Sequence, residues 1–176
     1  MRVIPLLAGL FLSSAVLAAD DRTVLFDPEV DFSTFKTYVL YEGKVQSRQP
    51  EITSQITLKK IADAIHAALA VKKLKNSSDQ PDLVVEFSVT TADFQIGPWG
   101  RASPVGGLGR GRTTTEAQRP DFTDAVLVID MKAGPDRALV WRGVYNDTEG
   151  DLGKLADALP KDAAALLAEY PPAKRK

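Results

Sequence analysis

The feature of the sequence that most constrains the fold is an alternation of apolar and polar residues between positions 82 and 90. The apolar residues that recur at every second position are Leu83, Val85, Phe87 and Val89. Because successive side chains of a strand point to opposite faces of a sheet, this pattern predicts a strand with one buried face. Residues 125–131 and 137–145 show similar patterns, and the short turn at 133–136 predicts that they form a hairpin.

Two further strands and two helices are predicted from local composition. Residues 35–41 are rich in aromatic and β-branched side chains, and 23–26 form a short strand-like run. Apolar residues recur with a helical period along 51–75 and again along 151–170, where Pro160 should kink or divide the helix. We therefore expect an α+β fold, a two-layer sandwich of a mostly antiparallel sheet of four to five strands with two helices packed on one face.

Residues 1–18 have the composition of a secretory signal peptide. Arg2 supplies a positive charge before a largely apolar run from Val3 to Leu17, and the small residue Ala18 follows. The run is shorter than the roughly 20 residues that a membrane-spanning helix needs, so we expect cleavage after Ala18. The chain contains no cysteine, which leaves no residue for a disulfide or a lipid anchor. The expected product is a soluble periplasmic protein with no transmembrane segment and no lipid anchor.

Residues 19–176 have the length of a single α+β domain, but the segment 93–122 interrupts the periodic patterns. It is rich in glycine and proline, and about 30 residues without regular structure are unusual inside a compact domain. We expect a long irregular loop there. Its candidate partner-binding residues are Trp99, Arg101, Arg110, Arg112 and Arg119. A basic segment with an aromatic side chain can bind an anionic partner, and the alternative is a solvated insertion without a ligand.

Nothing in the sequence matches a catalytic or metal-binding pattern. His66 is the single histidine, and its place beside the apolar stripe of the first helix favours a boundary residue over a catalytic base. The carboxylates between 147 and 151 lack the spacing of a calcium loop and are better placed to cap the next helix. The glycine-rich stretch 107–112 lacks the Lys-Ser/Thr pair of a phosphate-binding loop. With a formal net charge of −1, the chain is not expected to bind nucleic acid, and we expect neither a metal nor a cofactor.

Trp141 and Arg142 are neighbours in one predicted strand and should therefore face opposite sides of the sheet. Trp141 is expected in the core together with Leu139. Arg142 is expected on the other face, near Glu86 and Asp130. There it is a further candidate for partner binding in a polar groove, and the alternative is cross-strand ion pairing with the two acids.

Five short motifs in a fixed order resemble a known bacterial family. They are Asp31–Tyr38 (DFSTFKTY), Pro81–Val85 (PDLVV), Leu127–Asp130 (LVID), Leu139–Gly143 (LVWRG) and Leu166–Pro172 (LLAEYPP). Together they resemble the bacterial envelope family catalogued as domain of unknown function 4136. The resemblance implies an exported, often lipid-anchored envelope protein without an established activity. The lack of cysteine departs from the lipid-anchored pattern, and no catalytic residue is implied.

Two functions are compatible with the sequence. The first is a non-catalytic periplasmic envelope protein that binds a partner or supports envelope assembly, the partner being an anionic envelope component or another envelope protein. The second is a periplasmic small-ligand binder or hydrolase with a pocket between the sheet and the 93–122 loop. The single histidine and the missing cysteine count against the second, so we expect no enzyme activity.

Overall fold

The computed structural model describes residues 22–96, 102–104, 122–134 and 136–172. Within these ranges the strands are β1 (Arg22–Phe26), β2 (Thr37–Gln46), β3 (Lys75–Asn76), β4 (Leu83–Ile96), β5 (Ala102–Pro104), β6 (Phe122–Ala133) and β7 (Ala138–Glu149). The helices are α1 (Pro50–Thr53), α2 (Gln55–Val71) and α3 (Leu152–Ala168), and a 3-10 turn spans Phe32–Thr34. Pro160 lies inside α3, which continues through it as one helix.

The described strands form one mixed sheet in the order β1-β7-β6-β4-β2-β3, and β5 pairs with the far end of β4. β4 and β6 are antiparallel over the whole of β6, from the pair Leu83–Ala133 to the pair Phe94–Phe122. β2 is parallel to β4 and to β3, whereas β1, β6 and β7 are antiparallel to their neighbours.

The prediction of a mostly antiparallel sheet of four to five strands with two helices was wrong in strand number, direction and helix count. β2 and β4 are parallel because the chain crosses over through α1 and α2 between them. β3 has two residues, too few for an alternation to be recognised. The third helix arises because the predicted helix over 51–75 is divided at Ser54, whose side chain caps α2 by accepting a hydrogen bond from the Thr57 amide. The broader α+β class agrees with the structure.

Part of the segment that was predicted to be irregular belongs to strands. Residues 93–96 extend β4, 102–104 form β5, and 122 begins β6. The remaining residues of the segment, 97–101 and 105–121, lie outside the described residues. Those ranges contain five of the six candidate partner-binding residues, which are Trp99, Arg101, Arg110, Arg112 and Arg119.

The core lies between one face of the sheet and the helices α2 and α3. Five side chains from one helix and three strands are buried together there and are essentially inaccessible: Ile61, Ile65, Phe87, Ile129 and Trp141. The placement of Leu139 in the core was wrong, because this side chain is 45% exposed. The pairing of β6 with β7 shifts between Met131 and Lys132, so Val140 bulges out of register and takes the buried position instead.

Two isoleucines of α2 provide a matched test of this packing. Ile65 is fully buried beneath the sheet and Ile56 is 71% exposed on the same helix. Ile65→Ala should lower the free energy of unfolding by about 2–5 kcal/mol, because it leaves a cavity in a close-packed core. Ile56→Ala should change it by no more than about 0.5 kcal/mol. Urea denaturation of both variants checks this, and equal losses would show that α2 is rotated relative to the sheet.

Candidate functional site

The face of the sheet opposite the helices is not covered by any described element, and we call it the open face. One row of side chains crosses it, with one residue from each of five adjacent strands. In order from β1 to β2 the row is Leu25, Arg142, Asp130, Glu86 and Tyr41. The two ends of the row are exposed, Leu25 by 59% and Tyr41 by 48%. Large apolar side chains therefore flank a charged centre.

Two ion pairs occupy that centre. The Arg142 guanidinium donates to both carboxylate oxygens of Asp130, at 2.6 Å from Nε and 2.7 Å from Nη2. Lys132 Nζ lies 2.8 Å from Glu86 Oε2. The hydrogen bond to Asp130 raises the pKa of Arg142, which keeps the guanidinium charged. The predicted cross-strand ion pairing of Arg142 is thus confirmed for Asp130, whereas Glu86 bonds Lys132.

An apolar strip lies beside the ion pairs. Val126 and Val128 of β6 and Val144 of β7 are half-buried on the open face, although no helix of the described ranges covers them. β-Branched residues that project from an uncovered sheet face gain little from this burial alone, so the strip is a surface on which another molecule can bury apolar area.

A groove of about 480 Å³ runs along the β2 side of the open face. Its lining includes Tyr41 and Lys44 of β2 and Glu86, Ser88 and Thr90 of β4. The pairing of β2 with β4 is interrupted between Glu42 and Val45, which lies alongside the groove. The groove has the volume of a small-ligand site, but it is a shallow depression lined by ordinary strand residues.

His66 lies on the other side of the sheet from this groove. Its Nδ1 is 2.6 Å from the Tyr38 hydroxyl, so the two groups share a hydrogen bond between α2 and β2. Burial raises the pKa of Tyr38, which keeps the phenol protonated. No carboxylate of the described residues bonds the imidazole, so His66 has the surroundings of a structural residue at the helix boundary. The sequence could not reveal Tyr38 as its partner, because the contact joins elements 28 positions apart.

The acidic stretch before α3 serves as a helix cap, as predicted. The Asp151 carboxylate accepts hydrogen bonds from the amides of Gly153 and Lys154, at 2.9 and 3.2 Å. The described ranges contain no cluster of three or more His, Cys, Asp or Glu side chains arranged to hold a metal ion. They also contain no helix that is long and apolar enough to cross a membrane.

One buried titratable group escaped the sequence analysis. Asp162 lies on the sheet-facing side of α3 and is 8% exposed, and its Oδ2 has no hydrogen-bond partner among the described residues. Burial, followed by the nearby charge of Asp147, raises the pKa of Asp162 to about 6. Position 162 falls on the buried side of the helical pattern, where an aspartate is an unusual residue type.

Comparison with known proteins identifies the family of this chain. The family model described as Domain of unknown function (DUF4136) matches residues 23–172. The chain belongs to this family. The match begins at the second residue of β1, runs past the end of α3 and includes the open face.

This DUF4136 protein is similar to several solved structures at low sequence identity. A PDZ domain protein from Parabacteroides distasonis is 15% identical with a TM-score of 0.58, over 89% of this chain and 36% of that one. PelC from Paraburkholderia phytofirmans, solved as a dodecamer, is 12% identical with a TM-score of 0.46, over 83% and 95%. A DUF330 protein from Xanthomonas campestris is 10% identical with a TM-score of 0.43, over 84% and 87%. A sequence comparison with curated proteins finds no match. The first of these structures supports the fold alone.

Two of the motifs that resemble the DUF4136 family contact each other. The Asp82 carboxylate, in the motif Pro81–Val85, accepts hydrogen bonds from the amides of Lys36 and Thr37 at 2.8 and 2.9 Å. Its own amide donates to the Thr37 hydroxyl. The hydrogen bonds that the carboxylate accepts, first that from the Lys36 amide and then that from the Thr37 amide, lower the pKa of Asp82. The motif residues thus fix where β2 begins beside β4, which is an architectural role.

The buried carboxyl of Asp162 predicts a specific dependence of stability on pH. Because its pKa is higher in the folded than in the unfolded chain, its favourable contribution is complete below the ordinary carboxyl pKa and is lost as the pH rises through about 6. Asp162→Asn should remove this loss and raise the free energy of unfolding at pH 7 by on the order of 2 kcal/mol. Thermal unfolding between about pH 4 and 7 measures the effect.

The exposed carboxylate of Asp63, on α2, provides the control for that experiment. Asp63→Asn removes an exposed ion pair with Lys59 and should change the free energy of unfolding at pH 7 by no more than about 1 kcal/mol, without the gain expected of Asp162→Asn. If the profile of Asp162→Asn runs parallel to that of the parent protein, the Asp162 carboxyl does not titrate in a buried environment.

Proposed function

We propose that this DUF4136 protein is exported to the bacterial periplasm and acts there, without catalysis, by binding a partner through the open face of its sheet. The observation that carries the proposal is the open face itself. It combines the apolar strip of valines with the exposed side chains of Leu25, Leu139 and Tyr41. Apolar side chains that cluster on an otherwise charged surface are typical of a protein interaction site.

The leader sequence supports the proposed location. A positive charge at Arg2, an apolar run and a small residue at Ala18 favour export with cleavage after Ala18. The arginines of the 93–122 segment, together with Arg142, remain the proposed contacts for an anionic envelope component. Arg142 already neutralises Asp130, so its contribution is to position a planar donor group at the surface rather than to supply net charge.

A small-ligand binder is the second candidate, and the groove beside Tyr41 is the observation that favours it. This groove lies on the open face between β2 and β4. A hydrolase finds less support, since His66 is on the opposite side of the sheet and bonds the Tyr38 hydroxyl. Binding rather than bond cleavage is therefore the function that the described side chains favour.

A matched pair of double variants tests the proposed contact surface. Leu25→Glu/Tyr41→Glu introduces two charges at the ends of the open-face row, whereas Ile56→Glu/Val71→Glu introduces the same charges at two exposed apolar positions of α2. With the tagged full chain as bait in the periplasm, the first pair should reduce recovery of bound chains at least about tenfold, because charged groups resist desolvation in an interface. The second pair should reduce it little.

Thermal midpoints of the two double variants should agree to within a few degrees, which excludes unfolding as the cause of lost binding. Peptide mass spectrometry of the same bait should give an N-terminus at Ala19. Full recovery of bound chains by the open-face variant would contradict the proposed surface, and a small molecule retained by the parent protein would then favour the groove.

A further inference from the structure

We propose that the partner seated on the open face is a second copy of this chain, with the two sheets packed face to face around a two-fold axis at Val128. This inference rests on the proposed function, because it takes the open face as the contact surface. It adds the identity of the occupant and the geometry of the contact.

The charge distribution of the open face is the first reason. Two cations, Arg142 and Lys132, are balanced by two anions, Asp130 and Glu86, so the ion-pair cluster carries no net charge. A face of one strong sign would repel its own copy, and this cluster does not. An isologous interface requires a self-complementary patch, which a neutral cluster beside an apolar strip can supply.

The position of the apolar strip is the second reason. β6 is the middle one of the five strands β1, β7, β6, β4 and β2, and Val128 lies near the middle of its open-face residues. A two-fold axis that passes here brings Val128 against Val128 of the second copy. When the axis runs across the strands, Val144 of β7, the neighbour of Val128 in the register, also meets its own counterpart. The most apolar part of the face is then buried at the centre of the contact, as in other protein interfaces.

The charges also select the direction of the axis. An axis along β6 would bring Asp124, Asp130 and Lys132 each against its own counterpart, three contacts between like charges that outnumber the two pairings of Arg142 with Glu86 of the second copy. An axis across the strands instead places Lys132 opposite Asp124 of the second copy, because these residues lie equally far from Val128 on β6. The two β6 strands then run in opposite directions. This arrangement keeps the sheets within the aligned packing that sandwiches prefer.

The size of the face suits such a contact. Five strands about 4.8 Å apart and roughly eight residues long span on the order of 600 Å². Specific interfaces bury about 800 Å² on each partner, so the open face with its rim of Leu25, Leu139 and Tyr41 approaches that area. We therefore expect a dimer with a dissociation constant in the micromolar range rather than an obligate one.

Sedimentation velocity of the mature chain, measured from about 1 to 300 μM, tests the proposal. The parent protein should shift from monomer to dimer, and Val128→Glu should raise the dissociation constant at least about 100-fold because it buries two facing carboxylates on the axis. Ile56→Glu, on the exposed side of α2, should leave the dissociation constant within about twofold. A parent protein that stays monomeric at the highest concentration would overturn the proposal.

A charge exchange keeps the test decisive if Val128→Glu fails to fold. Lys132→Glu and Asp124→Lys should each weaken the dimer about tenfold or more, since each places like charges opposite one another twice in a symmetric contact. The combination of both substitutions restores opposite charges and should recover most of the affinity. The proposed axis would be overturned if both single variants dimerised as tightly as the parent protein. It would also be overturned if the combined variant did not regain affinity.

The outcome also separates this inference from the proposed function. Co-expression of tagged and untagged chains should recover the untagged chain with the bait. If the bait is monomeric and recovers a different protein, and the Leu25→Glu/Tyr41→Glu bait does not recover that protein, self-association is overturned. The proposed function then remains intact. In the other case, the parent protein forms a dimer while the Leu25→Glu/Tyr41→Glu bait still recovers all bound chains. That result overturns the proposed role of the two ends of the row.

Discussion

The antiparallel pairing of β4 with β6 is the interaction on which the rest of the structure depends. It joins the pairs from Leu83–Ala133 to Phe94–Phe122 without a break. On one face it places Phe87 against Ile129 beneath the helices, and on the other it places Glu86 against Asp130. A shift of one residue would exchange the two faces, so this single register determines both the core and the open face.

The open face combines features that stabilise the monomer weakly with features that suit an interface. The ion pairs of Arg142 and Lys132 are partly solvated, and pairs of this kind add little to folding stability. In the proposed interface the ion pairs contribute specificity, because a partner must meet a defined pattern of charges beside the valines. The bidentate bond from Arg142 also lowers the cost of burying Asp130, since both carboxylate oxygens already accept hydrogen bonds.

The parts of the fold that could be predicted are those in which the pattern is local. The alternation in β4, the hairpin of β6 and β7, and the opposite orientations of Trp141 and Arg142 all follow from side-chain period. The cap at Asp151 follows from the residue type next to a helix. These predictions needed no knowledge of which elements lie side by side.

The predictions that failed or were missed depend on contacts between distant parts of the chain. The parallel pairing of β2 with β4, the two-residue strand β3 and the Tyr38–His66 hydrogen bond appear only when the elements are assembled. Leu139 was misplaced because one bulged residue reverses the alternation near it. Of the six candidate binding residues, Arg142 is placed by the structure on the open face, bonded to Asp130, and the others lie outside the described ranges.

Site-specific thiol labelling tests the central claim most directly, because the chain contains no cysteine of its own. Val128→Cys reports on the open face, and Ile129→Cys, its neighbour in β6, reports on the buried face. In dilute purified protein, the account predicts rapid labelling at position 128 and slow labelling at 129. In intact cells, a reagent that reaches the periplasm should label position 128 much more slowly. Equal labelling of position 128 in cells and in dilute solution would contradict the claim that a partner covers this face.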